Sequence, residues 1–127
     1  MDRRNFIFSG IVGIVALPAL AQENPLDQTE ILNLLSGNTA IGLWQGTDYR
    51  QWFGADGSTI YAPKGQRSTL GKWRVTSDGV YESWWSGDEW ESYRVRLTEQ
   101  TYVWVDAIGQ EHPFSIVPGQ QLVWPTN

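Results

Sequence analysis

Residues 80–97 read VYESWWSGDEWESYRVRL, and the order of polar and apolar side chains in them decides the fold. Tyr93, Val95 and Leu97 alternate with Arg94 and Arg96, a period of two that belongs to a strand with one buried and one wet face. On the other side of Gly87-Asp88-Glu89, Tyr81, Ser83 and Trp85 alternate with Glu82 and Trp84. The two runs make a β-hairpin, and its register follows if both faces must agree. A two-residue loop at Gly87-Asp88 would set Tyr81 opposite Arg94 and Trp85 opposite Trp90, mixing the faces. A loop of Gly87 to Glu89 sets Tyr81 opposite Val95, Ser83 opposite Tyr93 and Glu82 opposite Arg94, with a charge pair of about 0.2–1 kcal/mol. The second register is the one expected. The inward set is then Tyr81, Trp85, Tyr93, Val95 and Leu97, joined by Trp73, Tyr102 and Trp104 from neighbouring runs. Trp84 and Trp90 face outwards.

Reading outward from the hairpin, short β-like runs continue on both sides. Strands are expected near Thr39 to Gln45, Tyr49 to Phe53, Ser58 to Ala62, Gly71 to Thr76, Val80 to Trp85, Trp90 to Leu97, Thr101 to Asp106, His112 to Val117 and Gln121 to Trp124. Asp56-Gly57, Asp78-Gly79, Gly87-Asp88, Ile108-Gly109 and Pro118-Gly119 supply turn chemistry between them. Connections this short join antiparallel neighbours, since a parallel crossover needs a dozen or more residues. The one long connection is Pro63 to Leu70. The expected fold is therefore all-β: an up-and-down antiparallel meander of about eight strands that removes its edges by closing into a small barrel. Ahead of the strands, Asp27 can cap a helix, Glu30 completes a capping box, and Leu26 can staple onto Ile31. Ile31, Leu32, Leu34 and Leu35 form its apolar stripe, and Ser36-Gly37 ends it, so a short helix over about 27–36 docks on the barrel by its stripe.

Composition agrees with this architecture and narrows the partners. Eight Trp and thirteen Gly stand against one Met, a balance suited to bulky residues on strands joined by tight turns. The absence of Cys excludes disulfides, thiolate metal sites and a thiol nucleophile. Residues 1–21 have the three parts of an export signal: basic Arg3-Arg4, an apolar run from Phe6 to Leu17, and Ala19-Leu20-Ala21 as a cleavage site. Cleavage after Ala21 leaves one domain, 22–127, with no membrane anchor, because the apolar run is shorter than the roughly 20 residues a span requires. The expected compartment is periplasmic or extracellular. Arg3-Arg4-Asn5-Phe6-Ile7 resembles the twin-arginine motif, and a plain basic leader serves the general export route equally well. Loss of Asp2, Arg3 and Arg4 takes the formal charge from −5 to −6, a surface that repels nucleic acid and anionic membrane.

Several short motifs carry a resemblance. The helix running into Leu35-Ser36-Gly37-Asn38-Thr39, the Phe53 to Gly57 turn, Gly71-Lys72-Trp73-Arg74-Val75 and Tyr93-Arg94-Val95 together resemble a family of small secreted alphaproteobacterial proteins of unknown function. That resemblance spans Leu26 to Leu122 and implies a cysteine pair in the two central strands, near the places where this chain has Glu82 and Ser92. Gly42-Leu43-Trp44 after a short helix is also similar to the opening of lipocalin-like (calycin-type) barrels, which implies a Trp closing the barrel base.

No catalytic constellation emerges. His112 is the only imidazole available to any serine and reads as an ordinary strand residue beside Pro113, and no ligand spacing for a metal or other cofactor is present. Glu82, Asp88, Glu89 and Glu91 gather acid near one hairpin without a cation-loop pattern, so a solvated acidic loop is the plain reading. The residues singled out for binding are Trp84, Trp90, Glu82, Glu91 and Trp52, because an outward Trp can anchor a protein partner or stack on a sugar ring. The leading expectation is a monomeric, non-catalytic exported module that binds a protein or glycan through this outer aromatic and acidic hairpin. The alternative is a calycin-type carrier holding an apolar small molecule inside the barrel. Against it, about eight strands enclose a lumen just wide enough to be filled by side chains.

Overall fold

The computed structural model describes residues 24–125, so the export segment lies outside the described residues. One helix, α1 (Gln28–Leu35), precedes eight strands: β1 (Thr39–Trp44), β2 (Thr47–Phe53), β3 (Ser58–Pro63), β4 (Thr69–Val75), β5 (Tyr81–Trp84), β6 (Glu91–Leu97), β7 (Tyr102–Val105) and β8 (Glu111–Val117). Each strand pairs antiparallel with the next, and β8 returns to β1 to close the barrel, Thr39 facing Val117 and Gly42 facing Phe114. The fold is the expected all-β meander barrel with a short leading helix.

The helix begins as its sequence dictates. Asp27 Oδ1 accepts from the Glu30 N–H at 2.8 Å while Glu30 Oε1 accepts from the Asp27 N–H at 2.9 Å, satisfying two donors that a helix start leaves open. Its ends are tied to three strands: Leu26 N–H to Val95 O, Gln28 Nε2 to Val75 O, and Gly37 N–H to Phe53 O. Phe53 and Val75 are the last residues of their strands and Val95 lies near the end of β6, so α1 closes the end of the barrel where β1 starts. Ile31 and Leu35 are fully buried there, packed in one cluster with Phe53, Trp73, Tyr81 and Val95.

Three expectations change. The β5–β6 register pairs Tyr81 with Tyr93, Glu82 with Ser92 and Ser83 with Glu91. This is two residues from the expected register, so the faces survive and the Glu82–Arg94 pair does not. Glu82 is taken by Arg74 from β4, Nε to Oε1 2.7 Å, and Arg94 donates to the Asp78 carbonyl at 2.7 Å. Second, Gln121 to Trp124 is not a strand, because closure between β1 and β8 leaves no free edge for it. The segment runs instead as a strap outside the barrel. Gln121 accepts from Arg50, Trp124 Nε1 donates to the Ala62 carbonyl at 3.3 Å, and the Trp124 ring lies 4.8 Å from the Arg50 guanidinium. Third, Trp44 ends β1 and so stands at the opposite end of the barrel from α1. It does not close a base as the lipocalin resemblance implies.

Candidate functional site

At the end away from the helix the barrel is not filled. A cavity of about 320 Å³ opens there, walled by residues from every strand of the barrel except β8 and by Trp85 just beyond β5. Strand alternation puts Tyr49, Gln51 and Phe53 on the inner face of β2, and Thr69, Gly71 and Trp73 on the inner face of β4. Tyr81, Ser83 and Trp85 share one parity, as do Glu91, Tyr93 and Val95.

Two corners of perpendicular rings frame the rim. Trp44 and Tyr93 meet edge to face with centroids 6.1 Å apart at 86°, and Tyr61 and Trp85 with centroids 5.9 Å apart at 69°. Deeper in, Trp104 Nε1 donates to the Tyr49 hydroxyl at 3.1 Å, fixing both rings. The floor is polar: Gln51 Nε2 donates to Thr59 Oγ1 at 3.0 Å and to the Tyr81 hydroxyl at 3.2 Å, and Ser83 lies beside them. These groups are buried and partnered, which is how a polar floor persists under aromatic walls.

Two glycines shape the walls by what they lack. A Cβ on Gly71 would stand 2.5 Å from the Trp84 carbonyl oxygen and 2.6 Å from the Trp85 ring. A Cβ on Gly42 would stand 2.8 Å from the Tyr49 hydroxyl. Both rings therefore lie over bare backbone.

The phenols of this site are held neutral. Burial pushes Tyr49 up to about 12, and burial together with the negative charge of Glu91 and Asp106 pushes Tyr93 up to about 12. Burial also raises Tyr81, against the opposing hydrogen bonds from Ser83 and Gln51, and raises Tyr61, where Glu91 adds to the effect. Asp106 is held below the usual carboxylate range by its 3.1 Å hydrogen bond to His112, whose ring in turn packs on Trp44 at 4.7 Å. His112 is thus occupied as a rim support.

The residues singled out from sequence divide between two places. Glu91 lines the cavity. Trp84 and Trp90 lie on the outer face, half-buried, where Lys72 sits 5.1 Å above the Trp84 ring and Arg74 3.7 Å above the Trp90 ring. Trp84 Nε1 also donates to the Gly87 carbonyl at 2.8 Å. Glu82 is outside with them, paired to Arg74. Trp52 is half-buried on the outer face of β2, separated from the hairpin by β3 and β4. Sequence reading missed Trp44, Tyr49, Gln51, Tyr61 and Thr69 as cavity walls. Their signal was parity: Gln51 stands between inward Tyr49 and Phe53.

Among the described residues no group of three His, Cys, Asp or Glu is placed to hold a metal ion, and no helix is long and apolar enough to cross a membrane. Comparisons with family models, with curated proteins and with solved structures find no match.

Proposed function

We propose that this chain is a non-catalytic, exported binding protein that takes a small molecule into the aromatic cavity at the open end of its barrel. The cavity itself supports the reading: about 320 Å³, ring-walled, with a few fixed polar groups on its floor. Small-molecule sites have this character and volumes of about 300–1,000 Å³. It is about twice the roughly 150 Å³ that suffices to bind benzene in an engineered core. The outer hairpin at Trp84 to Glu91, as a protein or glycan surface, ranks second, because its two rings are already stacked by the chain's own Lys72 and Arg74.

The test is organic extraction of the purified protein followed by mass spectrometry, together with thermal melts against a panel of neutral, cationic and anionic compounds of one- or two-ring size. A stoichiometric copurified compound, or a panel member that raises the melting temperature and alters Trp emission, is expected. Trp85→Ala should weaken that effect and Trp84→Ala should not. A panel and an extract that are both silent would overturn the reading. An effect removed by Trp84→Ala alone would restore the outer hairpin to first place.

A further inference from the structure

We infer that the ligand of this cavity carries a positive charge, and that the cavity is a cage for an organic cation of the quaternary or alkylated ammonium class, closed on one side by Glu91. The inference rests on the cavity being a binding site and concerns what the site selects.

The ring geometry is the first ground. Trp44 with Tyr93, and Tyr61 with Trp85, are perpendicular pairs, so two corners face the same space. Tyr61 also stacks on Tyr49, centroids 5.2 Å apart, so five rings converge on one space. A cation within about 6 Å of several ring centroids is attracted by each ring's quadrupole. A bulky ammonium with methyl groups needs no directed hydrogen bonds, which suits walls that offer chiefly carbon.

Charge is the second ground. Among the described residues no Lys, Arg or His lines the cavity, and the one carboxyl side chain on it is Glu91. Glu91 shares the inward parity of Tyr93 and Val95 and sits where β6 begins, at the mouth. Among the described residues it has no ion-pair or hydrogen-bond partner, whereas Glu82 is matched to Arg74, Glu111 to Arg96 and Asp106 to His112. Asp48, Asp88, Glu89 and Glu99 also lack ion-pair partners among the described residues, so what sets Glu91 apart is its place, as the carboxylate on the cavity lining. Its field reaches the walls, since it acts on both the Tyr61 and Tyr93 phenols. An anionic ligand would meet repulsion here, and a neutral one would leave Glu91 unused.

Acetylcholine and its uncharged carbon isostere, dimethylbutyl acetate, separate charge from shape, and Trp emission reports binding of either. The wild-type protein should bind the cation about tenfold more tightly than the isostere, the scale of a desolvated cation–π site. Glu91→Gln and Tyr93→Leu should each narrow that ratio by weakening the cation more than the isostere, with thermal melts confirming that both variants fold. Equal binding of the pair, or preference for the isostere, would overturn the cation inference and leave the cavity a binding site. A preference untouched by both variants would overturn the assignment to Glu91 and the cage. Failure of both compounds, with the wider panel also silent, would remove the proposed function as well.

Discussion

Replacing Gly71 by Ala tests the cavity wall directly. The added Cβ would come within 2.5 Å of the Trp84 carbonyl oxygen, and within 2.6 and 2.8 Å of two Trp85 ring carbons. A ring can swing away, but the carbonyl belongs to the β4–β5 ladder, in which Lys72 faces Trp84. A closed barrel has no free edge along which β5 could slide, so the backbone must shift by several tenths of an ångström. Overpacking of this kind costs about 1–3 kcal/mol. Against it, Ala restricts the unfolded chain and returns about 0.4–1 kcal/mol. The net loss should be about 1–2 kcal/mol, or roughly 4–16 °C in melting temperature for a domain near 100 residues. Combining Gly71→Ala with Trp85→Ala removes the ring collision and leaves the backbone one, so the double variant should be more stable than the sum of the singles implies. Differential scanning calorimetry of the four proteins measures this cycle. A Gly71→Ala protein melting within about 2 °C of the parent, with no coupling to Trp85→Ala, would refute the packing argument.

Trp73→Ala should cost about 3–5 kcal/mol, because it opens a cavity beside Phe53 and removes the 2.8 Å hydrogen bond from Trp73 Nε1 to the Gly54 carbonyl, which keeps only the Gly57 N–H. Trp84→Ala should cost far less, and equal melting of the two variants would place Trp84 in the core. In pH titration, Asp56, Asp78 and Asp106 have folded values depressed by hydrogen bonds from Ser58, Thr76 and His112 respectively, so their stabilisation is full above about pH 4 and is lost as pH falls through those lower values. Tyr49 and Tyr93, raised to about 12, act in the opposite sense: their contribution is full below about pH 10 and is lost as pH rises towards 12. Melting temperature should therefore fall at both extremes, with phenolate absorbance appearing together with loss of near-ultraviolet circular dichroism. Phenolates forming near pH 10 in a protein that stays folded would contradict the burial of these rings.

The elements, the faces and the antiparallel order were legible in the sequence because each rests on local chemistry: Asp27 and Glu30 for the helix start, Asp-Gly and lone glycines for the turns, alternation for the strands. The hairpin register was not. Alternation separates odd shifts from even ones, since only an odd slip exchanges the faces, but it is blind to a slip of two. Glu82–Arg94 was chosen on a charge pair of about 0.2–1 kcal/mol, while the partner that won, Arg74, lies on β4, outside the hairpin being weighed. Glu82 instead faces Ser92 across the hairpin. Glu91 stands in the sequence among outer acidic residues, but its parity with Tyr93 and Val95 marks it as inward. The ninth strand failed for a global reason: Gln121 to Trp124 has strand-like composition, but pairing of Thr39 with Val117 had already consumed the last edge.

Why an eight-stranded barrel with so many inward rings should keep a cavity follows from how its two ends are occupied. At the end where β1 starts, α1 brings Ile31 and Leu35 against Phe53 and Trp73, so the helix adds bulk to rings that already meet. Among the described residues the other end receives no helix, and two of its rings lie against glycine backbone. Trp85 lies over Gly71 and Tyr49 over Gly42, two inward positions where a missing side chain lets an aromatic ring take the space against the backbone. Trp104 is tethered to Tyr49 by its indole N–H, and the Trp44 ring is held by the packed His112 that Asp106 fixes in turn. The two glycine positions set rings against the wall, whereas the Trp104–Tyr49 bond joins β7 to β2 inside the barrel. Counting inward tryptophans and tyrosines therefore overestimates how full the lumen is, because volume at the wall does not fill the axis. An Ala at either glycine would push its ring back toward the axis, so stability and ligand capacity at this end should be lost together.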